Sequence, residues 1–237
     1  MAGSLAIVIP VYNEGQFIRR TIEQILLKVR GNYRAYFIYD MDNDTTLPHI
    51  LSYNDQRLSV LKNKYGKGAL NAIKTGLELT KEEYAVVFMA DLSEDPEYIN
   101  DLTAKASEGF DIVCGSRYMK GGAQVGAPKL KSFLSRMAGL SLNLLTGIPT
   151  HDISNSLKLY SRKVLNKVRI ESTGGFELGM EITIKAYLWG HKIAEVPVIW
   201  EEKGERASRF NFGQWLPKYL YWYFYLIINR VLRRQPK

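Results

Sequence analysis

Short apolar runs alternate with helically spaced apolar residues along the first half of this chain, and almost every run ends in a burst of polar side chains. The runs at Leu5–Val11 and at residues 35–39, 58–61, 85–89 and 112–115 are rich in Val, Ile, Leu, Phe and Ala. Such runs suit strands buried on both faces. Between them, Phe17, Ile18, Ile22, Ile25 and Leu26 mark a helix over residues 16–29, and Leu70, Ile73 and Leu77 mark another over residues 67–79. Pro96 opens a third over residues 96–107, where proline fits the first turn. This alternation predicts βαβ units and a mainly parallel sheet. Ligands of such sheets bind just beyond the carboxyl ends of the strands, which is where the polar bursts fall.

The second half is looser. Residues 118–128, with three glycines and a proline, read as a loop, residues 130–145 as a helix, 157–160 as a strand with Ser161 capping a short helix, 176–189 as a helix and 192–200 as an extended segment. With 237 residues, 46% of them hydrophobic, one sizeable core and one domain are expected. The domain is bounded at residues 1–212, followed by a distinct segment at 213–237. The single cysteine, Cys114, excludes an internal disulfide framework and reads as a small buried residue. Residues Leu5–Val11 are too short for the apolar part of a signal peptide.

Charge is unevenly spread. Five cations and no acid lie between Arg117 and His151, and seven cations and no acid from Arg206 onward. Without those twelve, the chain carries 20 basic and 24 acidic residues. Two basic regions on a mildly acidic body suit anionic lipid headgroups and diphosphates. Nucleic acid is set aside, because a DNA binder places its cations along a helix or arm and here much of the first basic region is Gly-rich loop. The segment YLYWYFYLII at 219–228 is too short to span a bilayer, which needs about 20 residues. Its aromatics and the cations Arg233, Arg234 and Lys237 fit an interfacial helix on the cytoplasmic face of a membrane, held peripherally. Packing on the domain, or on a second subunit in a homo-oligomer, is the other use of such a helix.

Each polar cluster has a chemical and a bland reading. In IPVYNEG (9–15), Tyr12, Asn13 and Glu14 offer a ring, an amide and a carboxylate to a nucleoside, or form a turn that caps the next helix. In YDMDNDTT (39–46), Asp40 is placed to accept from a base N–H, while Asp42 and Asp44 read as turn and cap residues. In NKYGKGALNA (63–72), Gly66 and Gly68 flank Lys67 before a helix, a place that favours anions but lacks the spacing of a P-loop. In YAVVFMADLSEDPE (84–97), Asp91, Glu94 and Asp95 could gather a hard cation or merely cap a helix. The strand DIVCGSR ends in Arg117.

In this order and spacing, these five motifs resemble the family-two glycosyltransferases, and within them the dolichyl- or polyprenyl-phosphate sugar synthases, over residues 4–210. The resemblance implies a glycosyltransferase A-type, Rossmann-like α/β fold, here with a C-terminal aromatic helix. It also implies a nucleotide-diphosphate sugar donor, inversion at the anomeric carbon and a polyprenyl-phosphate acceptor. Pro10, Tyr12, Glu14, Asp40, Lys67, Ala90 and Asp91 would bind the nucleotide-sugar. Asp91, with Ser93 where the synthases often have Gln, would hold Mg²⁺ or Mn²⁺. Arg117, Lys131, Ser135 and Arg209 would hold phosphate or acceptor, and Asp152, Arg117 and Glu177 are the catalytic candidates, Asp152 first as an acceptor-side base. Glu181 reads as an ion-paired or solvated helix position, and in this context Glu94 and Asp95 fall back to helix capping.

Three departures stand out. Met89 replaces the first acid of Asp-x-Asp, so a cation would lean on the donor's phosphates and bind weakly without them. DISNSLK at 152–158 keeps Asp152 and a terminal cation, Lys158, but loses the family's Gly-Phe. Lys203 and Arg206 stand at the Arg and Gly positions of the phosphate loop. A hydroxyl acceptor, or a catalytically impaired nucleotide-sugar-binding module, is the alternative that these departures motivate.

Overall fold

The computed structural model describes residues 3–203, 212–234 and 236. The first strand, β1 (Leu5–Val11), is buried throughout and leads through a turn of 3-10 helix into α1 (Ile18–Lys28). There follow β2 (Tyr33–Tyr39), α2 (Leu47–Leu51), β3 (Leu58–Lys62), α3 (Ala69–Leu79), β4 (Tyr84–Val87), α4 (Tyr98–Ser107) and β5 (Ile112–Ser116). The second half adds β6 (Ala123–Val125), α5 (Lys129–Thr146), β7 (Lys158–Ser161), α6 (Arg162–Lys167), α7 (Glu177–Leu188), β8 (Ile193–Pro197), β9 (Ile199–Glu201) and α8 (Phe212–Val231).

Seven strands form one sheet in the order β3-β2-β1-β4-β7-β5-β8. The first four are parallel, β5 and β8 are parallel, and β7 alone runs antiparallel, wedged between β4 and β5. The expected mainly parallel α/β sheet is therefore present. Apolar cores cover both faces: Ile18, Ile22, Ile25, Ile99 and Leu102 from α1 and α4 on one, Leu70, Ile73, Leu77, Leu178 and Ile182 from α3 and α7 on the other. A third cluster joins α5, α7 and α8 through Leu142, Met180, Ile184, Trp222 and Leu226.

Several sequence expectations need correction. The 118–128 segment is not all loop: β6 pairs with β9 in a small second sheet, so the extended segment 192–200 splits between two sheets. Helix α2 was not foreseen. Glu181 is ion-paired as expected, but inside the protein, where it holds Lys185 at 2.7 Å and accepts the Glu171 and Ser172 amides. Cys114 is buried as expected. Among the described residues no helix is long and apolar enough to cross a membrane.

Candidate active site at the strand ends

Because β1, β2, β3 and β4 are parallel neighbours, their carboxyl ends lie along one edge, and turn chemistry knits the bursts together. The Asn13 amide donates to both oxygens of Asp44, at 3.2 and 3.1 Å, and Glu14 N–H donates to Thr46 Oγ1. Asn13 is therefore not a helix cap; its side-chain oxygen receives the Thr45 amide. Asp44 does act as a turn residue, by reaching across to the first strand. Beside this turn, Tyr12 is exposed.

Asp40 organises the glycine loop. Its carboxylate accepts from Asn63 Nδ2 at 2.8 Å and from the Gly68 amide at 2.9 Å. Gly68 sits at φ +119°, a conformation that side chains rarely adopt, immediately before α3. Lys67 is exposed at this loop. Pro10, Tyr12, Glu14, Asp40 and Lys67 thus belong to one edge of the sheet.

At the end of β4, Ala90 uses its carbonyl to accept from Thr21 Oγ1 at 2.6 Å. Asp91 is exposed, and its carboxylate accepts the Ser93 amide. Leu92 then adopts φ +55° and turns the chain inward, so that Ser93 and Glu94 are buried. Asp95 behaves as foreseen, accepting the Glu97 amide at the head of α4 and pairing with Lys28. Glu94 does not cap the helix. It is 3% exposed, and its Oε1 has no hydrogen-bond partner among the described residues. Burial pushes its pKa up to about 7, against the pull of Arg117, while Asp91 adds to the rise.

The densest cluster lies at the end of β5. Arg117 Nε and Nη2 donate to the two oxygens of Asp152, at 2.6 and 2.9 Å, and the Arg117 amide adds a third bond at 3.1 Å. Ser154 Oγ and the Asn155 amide complete the shell of Asp152. The side chains are 10% and 0% exposed. Burial alone would raise the Asp152 pKa, but the Arg117 charge and hydrogen bonds outweigh it and hold the carboxyl below its usual range. Asp152 is therefore Arg117's anchor, which corrects its reading as a free base.

Helix α5 closes the cluster from above. Arg117 Nη2 also reaches Ser154 Oγ at 3.1 Å and Ser135 Oγ at 3.4 Å, and the two serine hydroxyls are 2.6 Å apart. Gly139 makes this approach feasible: a Cβ there would lie 2.0 Å from the His151 carbonyl oxygen. Lys131 shares the site electrostatically; burial and the Arg117 charge lower its pKa, against Glu202. Beneath, the wholly buried Lys158 donates to the Ile153 and Asn155 carbonyls and so shapes the 152–155 turn from inside. Its ammonium faces the backbone, not solvent.

Glu177 also needs correction. Its two oxygens accept the Gly174 and Gly175 amides, both at 2.6 Å, so it closes the loop ahead of α7. Tyr219 of α8 lies within electrostatic reach of Glu177, Arg117 and Asp152, a neighbour that the sequence did not suggest. Arg209 and the whole 208–210 motif lie outside the described residues. His151 pairs with Glu195 and His191 with Asp111.

No group of three or more His, Cys, Asp or Glu gathers among the described residues to hold a metal ion. Exposed Asp91 offers one carboxylate, which fits a hard cation that arrives with a diphosphate and keeps several waters. It does not make a stand-alone cage.

Residues 6–169 match the family model described as glycosyl transferase family 2. The chain is 29% identical over 216 residues to undecaprenyl-phosphate 4-deoxy-4-formamido-L-arabinose transferase of Pseudomonas fluorescens (strain Pf0-1), covering 87% of this chain and 60% of that protein. It is 26% identical over 221 residues to dolichol-phosphate mannosyltransferase of Pyrococcus furiosus, covering 91% and 61%. The chain thus spans about 60% of the length of these relatives. In fold it is similar to glucosyl-3-phosphoglycerate synthase from Mycobacterium tuberculosis, solved with Mn²⁺, uridine-diphosphate and phosphoglyceric acid. The TM-score is 0.66 at 17% identity, covering 99% of this chain and 80% of that one.

Proposed function

The chain belongs to glycosyl transferase family 2, and on that premise we propose that it transfers a sugar, with inversion, from a nucleotide-diphosphate donor to a polyprenyl-phosphate acceptor. The donor side is the edge formed by Pro10, Tyr12, Glu14, Asp40, Lys67, Ala90 and Asp91. The relatives named for undecaprenyl phosphate and dolichol phosphate support the acceptor class. Asp91, with Ser93, would hold Mg²⁺ or Mn²⁺ on the donor, and the cation would supply charge to the leaving diphosphate.

One observation carries the acceptor class: among the described residues, the carboxyls packed around Arg117 are buried, and two of the three are fully engaged. Asp152, Glu177 and Glu94 are all buried, and the first two have both oxygens engaged. A hydroxyl acceptor needs a carboxylate within hydrogen-bond reach to take its proton. A phosphate monoester does not, since its second pKa is about 6 and it is largely dianionic at neutral pH. Arg117, Lys131 and Ser135 suit such an anion, and a guanidinium locked by Asp152 is preorganised to meet it. Arg209 is proposed for the same role.

The test is a transfer assay with a panel of UDP-, GDP- and dTDP-sugars, Mn²⁺ present, offering a short-chain polyprenyl phosphate and the matching polyprenol. Transfer to the phosphate and not to the alcohol is expected. Transfer to the alcohol alone favours the hydroxyl reading, and donor binding without turnover favours an impaired binding module.

A further inference from the structure

The sheet has a second polar edge, at the amino ends of β5 and β8. Asp111 immediately precedes β5 and Lys192 immediately precedes β8, and these strands are parallel neighbours. Strand β7 runs the other way beside β5, so its carboxyl end, with α6 directly behind it, arrives at the same place. Arg117 follows β5 at the far end. The extended chain from Asp111 to Arg117 covers about 20 Å, so this edge is remote from the donor and acceptor residues.

Between these elements lies a cavity of about 490 Å³, within the range of small-molecule pockets. Its lining is cationic. Lys163 and Lys167, four positions apart on α6, share one helix face, and Lys192 joins them; all three are exposed. Asp111 is the one acid in the lining among the described residues, and its oxygens are engaged. One lies 3.0 Å from His191 Nδ1 and accepts the Lys192 amide at 3.2 Å. The other accepts from Ser161 Oγ at 3.4 Å and lies 3.8 Å from Lys163 Nζ. The His191 and Asp111 side chains are 7% and 16% exposed, so this pair forms a fixed wall. Lys167 Nζ instead lies 4.5 Å from the centre of the Trp189 indole. Neither Lys167 nor Lys192 has a carboxylate partner among the described residues.

Three ammoniums against one carboxylate leave a surplus of two positive charges in a recess. Concave, low-dielectric walls focus such a field and concentrate anions. Each lysine meets phosphate as a point charge, so a cluster of them suits linked phosphates better than a single one. We propose that this cavity is a second anion site, separate from the transfer site, for a small soluble molecule carrying two or more linked phosphates. An extended polyanion would need a continuous basic stripe, whereas these cations converge on one recess. A phosphate bound there would draw Lys167 off the indole, so Trp189 reports on occupancy.

The experiment is calorimetric titration of the full chain with inorganic pyrophosphate, without divalent cation, with tryptophan emission followed in parallel. The variants are Lys163→Ser/Lys167→Ser, Arg117→Lys and Trp189→Phe, each checked by its circular-dichroism melt. Wild type and Arg117→Lys should bind alike, and the lysine double variant at least about tenfold more weakly. Orthophosphate should bind wild type at least about tenfold more weakly than pyrophosphate. The emission change should vanish in Trp189→Phe. Binding that persists undiminished in the folded lysine variant, or that is lost in Arg117→Lys, would place the anion in the transfer site and overturn the proposal. So would an emission change that survives Trp189→Phe, equal binding of orthophosphate, or no metal-independent binding by wild type.

Discussion

Arg117 and Asp152 grip each other through two side-chain hydrogen bonds, 2.6 and 2.9 Å long, although 35 positions separate them in the chain. The antiparallel strand β7, inserted between β4 and β5, makes this meeting possible. It brings the turn that precedes β7 to the carboxyl end of β5, where Arg117 begins. A guanidinium fixed in this way keeps its orientation before any anion arrives.

Removing one partner of a buried pair leaves the other charge uncompensated, which costs about 3–5 kcal/mol. Asp152→Ala should therefore lower unfolding stability by that order in urea titration. Arg117→Lys removes the fork that Asp152 and Ser135 share, and transfer should fall at least about a hundredfold, mainly in kcat. Unchanged turnover in Arg117→Lys would show that the anion is held elsewhere.

Glu94 predicts a pH dependence of stability. Its folded pKa of about 7 lies above the ordinary 4.5, so between those values the folded state holds more protons than the unfolded chain. Stability should thus fall as pH rises from about 4.5 to 7 and stay low above, by about 3 kcal/mol from this group. Glu94→Gln should remove that slope and be the more stable protein at pH 8, as read by urea unfolding at pH 5 and pH 8.

Met89 stands where a second acid would share the cation with Asp91. Met89→Asp should tighten Mn²⁺ binding in the absence of nucleotide by tenfold or more, as followed by electron paramagnetic resonance of free Mn²⁺. Asp91→Ala should abolish the Mn²⁺ dependence of nucleotide binding. Equal Mn²⁺ affinity in Met89→Asp and wild type would place the cation away from this turn.

Gly139 lets α5 rest on the His151 carbonyl. Gly139→Ala should force the helix off that surface, at a cost of about 1–3 kcal/mol, and separate Ser135 from Arg117. Both the thermal midpoint and the acceptor KM should worsen, whereas nucleotide binding should not.

Much of this architecture is legible in the chain. The apolar runs within β1, β2, β4 and β5 are short but unbroken by charge because a parallel sheet is covered on both faces, and Asp40, Asp91 and Arg117 follow them closely. What stayed hidden depends on directions that sequence spacing does not encode. Glu94 reads as a cap because it precedes a proline and a helix, but the positive φ of Leu92 turns it into the interior. Glu177 reads as a catalytic candidate at the head of a helix, and its carboxylate closes the Gly174–Gly175 loop. The three-residue strands β6 and β9 are too short for an alternation signal. The helix over 130–145 is plain, whereas the fact that its apolar residues face outward is not.

The central claim, that a phosphate acceptor attacks without help from an enzyme base, is tested most directly by the pH dependence of kcat/KM with two acceptors. A short-chain polyprenyl phosphate should give a rate that rises with an apparent pKa of about 6, its own second ionisation. The corresponding phosphonate, which ionises at higher pH, should shift that pKa upward by the same interval. An apparent pKa that stays put when the acceptor is changed would contradict the account, because the titrating group would then belong to the protein.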